Sequence, residues 1–277
     1  MLSTAQLLEK YYLVDKLPNI WCAGCGIGAI AAALTRAIDD LGIDKNKLTQ
    51  VNGIGCSGRV GAYQDFDVLK GTHGRALAFA TGIKLYKPEL TVLAIVGDGD
   101  CGAIGGNHLI HAARRNIDVT AVVINNRIYG MTGGQASPTT PFGDHASTAP
   151  YGSLERPFDL CQLAAGAGAT YVARGTVYHI RQLQRLFKNA IAHKGFSFVE
   201  VISQCPVYYG RYNDAQSPAE MLRAQKESSV SVTAAAGLSP EELKGKYVIG
   251  ELVNKQEPEF VSEYQALIEK YRQEAAG

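Results

Sequence analysis

The sequence predicts an α/β fold built on a doubly wound, mainly parallel sheet. Apolar segments of strand length alternate with segments of helix length along most of the chain. Two of the strand-like segments, 91–97 and 119–125, are almost continuously apolar, which is typical of strands covered by helices on both faces. With 277 residues, 46% of them hydrophobic and 19% charged, the chain is long enough to bury such a core.

The first half of the predicted domain alternates helices and strands. Apolar residues recur every three or four positions across 26–42, which predicts a helix that Gly42 would end. The segment 48–55 reads as a short strand running into glycines, and 74–86 as a helix rich in small residues. The predicted order is helix 26–42, strand 48–55, helix 74–86, strand 91–97, helix 105–115 and strand 119–125.

The second half opens with a long loop. Residues 126–156 are rich in Gly, Pro, Ser and Thr without periodicity, and loops of this length inside a compact domain are usually functional. We expect one α/β domain over residues 1–205, followed by a C-terminal arm or docking segment over residues 206–277. The remaining predicted elements are helix 157–168, strand 170–174, helix 177–193, strand 196–203, and helices 217–230 and 258–275.

Composition and charge narrow the classes of function. The formal net charge is +1, which gives no indication of binding to nucleic acid or to an anionic membrane. The N-terminal segment lacks the pattern of a signal peptide, and no apolar run approaches the roughly 20 residues of a membrane helix. We expect a cytoplasmic protein, in which the six cysteines stay reduced and more often bind metal or do chemistry.

Two strand ends carry residues suited to a divalent cation and a diphosphate. Asp98 follows strand 91–97 and Asn126 follows strand 119–125, and ligands bind such folds at the carboxyl ends of the strands. One carboxylate, one amide oxygen and a backbone carbonyl match the few protein ligands that Mg²⁺ takes. Gly97 and Gly99 would let the backbone approach a diphosphate closely.

Two other interpretations of this region compete. The stretch "GDG" by itself could be a simple turn. A dinucleotide site would need G-x-G-x-x-G after a strand with an acidic residue about 20 positions on, and "GIGAIA" has neither feature. The 28-position separation of Asp98 and Asn126 across a helix and a strand favours the cation and diphosphate site.

This pairing resembles the thiamin-diphosphate motif, in which GDG is followed at a similar distance by asparagine. The resemblance implies that the side chains of Asp98 and Asn126 and the carbonyl of Ile128 bind Mg²⁺. It also implies that four residues flank the diphosphate, namely Gly99, Asp100, Gly130 and Met131.

The pair Cys22 and Cys25 admits three interpretations: a redox disulfide, a zinc site or an iron–sulfur cluster. A thioredoxin-like pair normally follows a strand, and the segment before Cys22 is a poor strand. A zinc site needs four ligands, and the chain has neither a second C-x-x-C nor an H-x₃₋₅-H pair. Cys56 and Cys205 each follow a predicted strand, so all four thiolates could ligate one [4Fe–4S] cluster.

Together these motifs resemble the beta subunit of the 2-oxoacid:ferredoxin oxidoreductases. The family's "WCxGCG", "GIGCS", "HGR", "GDG", "NN…YG.TGGQ" and late cysteine all occur here in that order, over about residues 20–215. The chain departs from the family pattern at Ala23, at Gly133 and in "QCPVYYG". The last two departures bear on substrate choice and on the segment around the cluster.

The resemblance implies a thiamin-diphosphate enzyme that oxidatively decarboxylates a 2-oxoacid. Electrons would pass singly through a [4Fe–4S] cluster to ferredoxin, coenzyme A would take the acyl group, and the reverse reaction would fix CO₂. The implied cofactor-binding residues are Ile54, Gly55, Cys56, Ser57, His73, Gly97, Gly99, Asp100, Asn126, Gly130 and Met131. The implied metal ligands are Cys22, Cys25, Cys56 and Cys205 for the cluster, and Asp98, Asn126 and Ile128 for Mg²⁺.

One group that thiamin enzymes need is missing from the pattern. They require a carboxylate beside the aminopyrimidine ring, and the only glutamates before the diphosphate motif, Glu9 and Glu89, lie in no convincing setting. We therefore expect the pyrimidine-binding domain on a separate alpha subunit. The enzyme would be αβ or (αβ)₂ and catalytic only as a complex.

The expected substrate is 2-oxoglutarate, because the stretches 105–118 and 129–135 resemble that branch of the family. Pyruvate or a broad range of 2-oxoacids is the alternative. Two alternatives come from other classes: a non-catalytic electron-transfer subunit with a vestigial thiamin motif, and a cluster-free thiamin decarboxylase subunit with a structural zinc.

Overall fold

The computed structural model describes residues 2–215 and 217–276. Its strands are β1 (Leu48–Asn52), β2 (Asp67–Lys70), β3 (Thr91–Gly97), β4 (Thr120–Asn125), β5 (Ile128–Tyr129), β6 (Gln135–Ala136), β7 (Tyr171–Thr176), β8 (Ser197–Ile202), β9 (Ser229–Ser231) and β10 (Tyr247–Asn254). Eight of them form one sheet in the order β2-β1-β3-β4-β8-β7-β10-β9, and β5 pairs with β6 in a separate antiparallel hairpin. Every pairing in the large sheet is parallel except that of β7 with β10.

Helices cover both faces of the sheet. They are α1 (Thr4–Tyr11), α2 (Ile27–Asp40), α3 (Ala76–Tyr86), α4 (Gly106–Arg115), α5 (Leu160–Gly166), α6 (Ile180–Ala192), α7 (Pro218–Glu227), α8 (Val232–Ala235), α9 (Pro240–Leu243) and α10 (Phe260–Ala276). Side chains from α3, α4, α5 and the start of α10 form one core layer. The apolar stripe of α2, which includes the fully buried Ile30 and Leu34, packs with α6 in the other layer. Within the described residues, no helix combines the length and the apolar character needed to cross a bilayer.

The predicted fold class is confirmed. Each predicted helix and strand is present, with ends that differ from the predicted ones by a few residues. The long loop after β4 contains the short β5–β6 hairpin, and α1 and β2 were not foreseen. Strand β4 is buried throughout and β3 is buried except at its two ends, which explains the almost continuously apolar runs that predicted them.

The segment after residue 205 contributes to the sheet. Strand β10 pairs antiparallel with β7 and carries β9 on its outer side. The sequence did not predict this strand, which is only half-buried and contains Gly250 at φ 125°. The division of the chain into a domain over 1–205 and an arm over 206–277 stays a prediction.

The order of the strands positions four loops side by side. In register, Asn52 of β1 lies opposite Ile95 of β3, and Gly97 of β3 lies opposite Ile124 of β4. On the other side of β4, Asn125 lies opposite Ile202 of β8. The loops that follow these parallel strands therefore leave the same edge of the sheet, where ligands bind in such folds.

Candidate active site

A cavity of about 250 Å³ lies at the carboxyl ends of β1, β3 and β4. Every residue for which the sequence predicts a contact with thiamin diphosphate or Mg²⁺ lines it; their binding roles stay predictions. Two further residues, Tyr129 and Thr132, also line it. The complete set is Ile54, Gly55, Cys56, Ser57, His73, Gly97, Asp98, Gly99, Asp100, Asn126, Ile128, Tyr129, Gly130, Met131 and Thr132.

A larger cavity, of about 810 Å³, lies beside it at the ends of β4, β8 and β7 and against the C-terminal segment. The two cavities share only Asn126. Size alone would favour the larger one as a ligand site. We assign the candidate active site to the smaller one because both glycine-rich strand ends and both carboxylates of the motif line it.

Asp98 lines the candidate site and is 3% exposed. Its Oδ2 accepts hydrogen bonds from the hydroxyls of Ser137 and Thr139, both at 2.6 Å. Burial raises the pKa of Asp98, and the two hydroxyl donors act against that rise. Among the described residues, no basic side chain forms an ion pair with it. A buried carboxylate without a basic partner fits a cation such as Mg²⁺.

The turn after β4 holds the two other predicted magnesium ligands. Asn126 and Ile128 are buried, and Arg127 between them has φ 64°, in the left-handed region. That conformation costs a non-glycine residue roughly 1–2 kcal/mol. Two side chains support the turn: Asn125 Oδ1 accepts from the Arg127 amide at 3.1 Å, and Asn126 Oδ1 accepts from the Ile128 amide at 3.3 Å.

Asp100 ties three loops of the site together. Its carboxylate accepts from the Gly74 amide at 2.6 Å and the Ile54 amide at 3.3 Å, and it lies 2.5 Å from His73 Nδ1. Burial raises the pKa of Asp100, while these contacts oppose the rise. The carboxylate therefore lies directly against the His73 ring. A contact of Asp100 with the diphosphate stays a prediction.

The four cysteines that the sequence singled out line one cavity of about 210 Å³. Cys22 is exposed, and the other three are partly buried. This cavity shares Cys56, Asn126, Gly130 and Met131 with the candidate active site, so the two sites have a common wall. A Cβ atom at Gly130 would lie 3.6 Å from the Cys205 sulfur and 3.8 Å from the Cys56 sulfur, so this glycine backbone lies directly against both thiols.

The protein alone disfavours the ionised form of these thiols. Burial, reinforced by the neighbouring cysteines, raises the pKa of Cys25 to about 12 and that of Cys56 to about 11. Burial also raises the pKa of Cys205. A thiolate is the form that binds metal, so a strongly positive group would be needed to ionise the set.

The spacing of the four sulfurs separates two of the metal alternatives. A single tetrahedral zinc with Zn–S bonds of about 2.3 Å would hold its sulfurs roughly 3.8 Å apart. Among the described residues, no three of these cysteines have sulfurs all within 4.8 Å of one another. A cubane cluster binds each sulfur to a different iron and therefore accepts the wider arrangement. The described sulfurs are thus not arranged around a single zinc ion, and the [4Fe–4S] cluster stays a prediction.

Local hydrogen bonds shape the segment around Cys22 and Cys25. The Cys25 amide donates to the Cys22 carbonyl at 3.0 Å, and Gly24 in this turn has φ 78°. A Cβ atom at Gly24 would lie 2.4 Å from Pro218, so glycine is required here for both conformation and space. The Trp21 indole donates to the Cys56 carbonyl at 2.9 Å and joins this turn to the loop after β1.

Comparison with known proteins identifies the family. The family model described as thiamine pyrophosphate enzyme, C-terminal TPP binding domain, matches residues 53–201. A protein from Methanocaldococcus jannaschii named 2-oxoglutarate synthase subunit KorB is 54% identical over 96% of this chain and 98% of its own length. A 2-oxoacid:ferredoxin oxidoreductase subunit beta from Saccharolobus solfataricus is 43% identical over 69% of this chain and 63% of its own length.

This chain is a beta subunit of the 2-oxoacid:ferredoxin oxidoreductase family. Within the family it falls in the branch of the 2-oxoglutarate synthase subunits KorB, and it is thus a subunit of an oxidoreductase. A solved 2-oxoglutarate:ferredoxin oxidoreductase from Magnetococcus marinus, with 2-oxoglutarate, coenzyme A and succinyl-CoA bound, has the same fold. Its TM-score to this chain is 0.85, at 33% identity, covering 95% of this chain and 90% of that one.

The other two cysteines of this beta subunit lie outside the cavity that Cys22, Cys25, Cys56 and Cys205 line. Cys101 is buried in the core, and Cys161 is buried in α5. Cys161 lies close to Asp159 and Glu200, which could suggest a second metal site. Arg174 already pairs with both carboxylates at 2.5 Å, so a guanidinium occupies the position that a metal ion would take and offsets part of their charge.

Sequence reasoning missed several residues of the beta-subunit site. Ser137 and Thr139 donate to Asp98 from the far side of the β5–β6 hairpin, and Tyr129 donates to the Gly99 carbonyl at 3.2 Å. The available signal was the density of Ser and Thr in the long loop, which predicted function without naming residues. Which hydroxyls reach Asp98 depends on how that loop folds back over the strand ends.

Proposed function

We propose that this chain binds thiamin diphosphate, Mg²⁺ and one [4Fe–4S] cluster within a 2-oxoglutarate:ferredoxin oxidoreductase. The reaction converts 2-oxoglutarate, coenzyme A and two oxidised ferredoxins into succinyl-CoA, CO₂, two reduced ferredoxins and a proton. The observation that carries the proposal is the common wall between the two cavities, made by Cys56, Asn126, Gly130 and Met131. A cofactor and a cluster on either side of it would be neighbours, as electron transfer requires.

The residues of this chain would hold and orient the cofactor. Asp98, Asn126 and the Ile128 carbonyl would bind Mg²⁺, and the backbone at Gly97 and Gly99 would approach the diphosphate. Thiamin diphosphate, when bound, supplies the electron sink for decarboxylation. His73, which lies against Asp100, would be a polar contact to the cofactor.

A partner subunit would complete the site. Asp98 and Asp100 are the carboxylates that line the cavity, and both are already engaged by hydrogen-bond donors. Neither is free to act on an aminopyrimidine ring. The ylid-generating carboxylate would therefore come from an alpha subunit that carries the pyrimidine-binding domain, in an αβ or (αβ)₂ complex in the cytoplasm.

The test is anaerobic co-expression with the alpha subunit, followed by assays of iron, sulfide, zinc and thiamin diphosphate. We expect four irons, four sulfides and one thiamin diphosphate per beta chain. Viologen reduction should require coenzyme A and proceed faster with 2-oxoglutarate than with pyruvate. Reduced ferredoxin, succinyl-CoA and CO₂ should give 2-oxoglutarate in the reverse direction.

Each alternative predicts a different outcome. One zinc per chain without iron would overturn the cluster and support a thiamin decarboxylase subunit. A cluster without bound thiamin diphosphate would support an electron-transfer subunit. Equal or faster turnover of pyruvate would overturn only the choice of substrate.

A further inference from the structure

Arg127 links two parts of the molecule that the proposed function assigns to different cofactors. It lies between Asn126 and Ile128, in the strained turn after β4. Its side chain extends away from the candidate active site and lines the larger cavity. The guanidinium Nη1 donates to the hydroxyl of Tyr209 at 3.1 Å.

Tyr209 also forms a hydrogen bond to a third segment of the chain. Its hydroxyl donates to Asp144 Oδ2, and Asp144 belongs to the long loop after the β5–β6 hairpin. Burial raises the pKa of Tyr209 to about 12, so the hydroxyl stays protonated and can accept from the arginine while donating to the carboxylate. The positive Arg127, the uncharged Tyr209 and the negative Asp144 are thus joined by two hydrogen bonds and carry no net charge together. We call them the Arg127–Tyr209–Asp144 bridge.

Aromatic rings hold the guanidinium in place. The Arg127 Cζ lies 5.4 Å from the centroid of the Tyr209 ring and 5.1 Å from that of the Tyr247 ring on β10. Cation–π contacts at such distances stabilise a partly buried arginine. The planar guanidinium suits this arrangement better than a lysine would.

Tyr209, the middle member of the bridge, lies close in sequence to the proposed cluster ligand Cys205. Tyr209 lies four positions after Cys205, in the π-helical turn Pro206–Gly210. The Gly210 amide donates to the Cys205 carbonyl at 2.9 Å, so the turn behaves as one closed unit. Turns of this type are uncommon and are frequent at functional sites. Fixing the Tyr209 hydroxyl therefore restricts the backbone that carries the Cys205 sulfur.

We propose that the Arg127–Tyr209–Asp144 bridge is a positioning device that couples the thiamin-diphosphate site to the iron–sulfur cluster. The inference rests on the proposed function for the identity of the two cofactors. Ordering of the turn 126–128 around Mg²⁺ and the diphosphate is transmitted through Arg127 and Tyr209 to the segment of Cys205. By reciprocity, an assembled cluster favours the turn that binds the diphosphate.

The test compares Tyr209→Phe with Tyr212→Phe in the anaerobically purified two-subunit enzyme. Tyr212 lies in the same segment, and among the described hydrogen bonds its hydroxyl has none, so the same atom is removed without touching the bridge. Two readouts are independent of turnover. One is the dissociation constant of thiamin diphosphate in excess Mg²⁺, and the other is the electron paramagnetic resonance spectrum of the reduced cluster with and without thiamin diphosphate.

We expect Tyr209→Phe to retain its iron, to bind thiamin diphosphate about fivefold or more weakly, and to lose most of the spectral change that the cofactor causes in the wild type. Tyr212→Phe should match the wild type in both readouts. Asp144→Asn weakens the same bridge at its acidic end and should shift both readouts in the same direction. It replaces Tyr209→Phe in the test if that variant does not fold.

Wild-type affinity and a wild-type spectral response in both bridge variants would overturn the inference. A wild-type cluster whose spectrum does not change when thiamin diphosphate binds would overturn it as well. If the wild type holds no cluster or no thiamin diphosphate, the proposed function fails first. If it holds both and the variants match it, only the coupling fails.

Discussion

At the scale of single residues, burial disfavours the charged forms of several ionisable groups in the candidate site and in the neighbouring cysteine-lined cavity. Burial raises the pKa of Asp98 and lifts the pKa of Cys25 to about 12. Both groups bind cations in their charged forms, so metal binding and ionisation would occur together. Mg²⁺ and iron would therefore stabilise the charged forms of these groups.

For Asp98→Asn we expect loss of the magnesium site without loss of the fold. The amide keeps the shape of the side chain and removes a buried charge, so the melting temperature of the cofactor-free chain should not fall. Affinity for thiamin diphosphate in excess Mg²⁺ should fall at least about tenfold, as expected for a lost metal ligand. Calorimetric titration beside the exposed control Asp67→Asn checks this, and equal affinities in the two variants would contradict it.

For Cys205→Ser we expect loss of the cluster. A serine hydroxyl is a poor iron ligand, and the remaining three cysteines cannot close a four-ligand set. Iron and sulfide should drop to less than about half of the wild-type content, with viologen reduction lost. The matched control is Cys161→Ala. The Cys161 sulfur is buried outside the cavity that the four cysteines line, so this variant should keep its full iron content. Full iron in Cys205→Ser would remove Cys205 from the ligand set.

At the scale of elements, the two ends of the parallel strands have different tasks. The carboxyl ends of β1, β3, β4 and β8 lead into the loops that form the site. At the amino end of β4, Asp118 pairs with Lys84 of α3 at 2.8 Å and with Lys194 at 3.1 Å. Contacts at this end hold helices to the sheet and contribute to stability.

For Asp118→Asn we expect lower stability that depends on pH. Desolvation alone would raise the pKa of Asp118, but its bonds to Lys84 and Lys194 outweigh that effect, and the pKa is lowered. Because the folded pKa lies below the unfolded value of about 3.9, the ionised group stabilises the fold above that value and loses this effect as the pH falls through the folded pKa. Asp118→Asn should lower the free energy of unfolding near neutral pH by about 1–3 kcal/mol, since it leaves the buried Lys84 without its charged partner.

Urea unfolding at neutral pH and at progressively more acidic pH measures this effect. The gap between wild type and Asp118→Asn should narrow as the wild-type carboxylate becomes protonated. The exposed control Asp15→Asn should show no gap at either pH, because its pair with Lys16 is solvated on both sides. If the difference in the free energy of unfolding between the two proteins did not change with pH, the lower stability of Asp118→Asn would come from packing and not from charge.

At the scale of the whole molecule, apolar side chains rim the openings of both small cavities. Ile20, Ile54 and Met131 are 64%, 37% and 41% exposed, although each lines a cavity wall. The proposed reaction needs a carboxylate that this site does not supply. Exposed apolar side chains around such a site are typical of a surface that another chain covers. This is the face on which we place the alpha subunit.

For Ile20→Glu we expect weaker binding of the alpha subunit by about tenfold or more, because a charge would have to be buried at the contact. The stability of the isolated chain should be unchanged, since the side chain is exposed. Size-exclusion chromatography of co-expressed chains measures the effect. Tyr86→Glu, at a side chain that is also exposed but lies at the end of α3 that precedes β3, should assemble normally. Normal assembly of Ile20→Glu would place the partner elsewhere.

The sequence by itself determined the fold class and the residues that meet at the site. Uninterrupted apolar runs identify β3 and β4, and Asp98 and Asn126 follow them directly, so local pattern was enough to bring these two side chains together. Only the tertiary structure decided what supports them. The bond from Thr139 to Asp98 spans 41 positions and that from Arg127 to Tyr209 spans 82, and such contacts follow from how loops fold back over the sheet. They have no period in the sequence, because a loop's path is set by the elements it packs against and not by its own pattern.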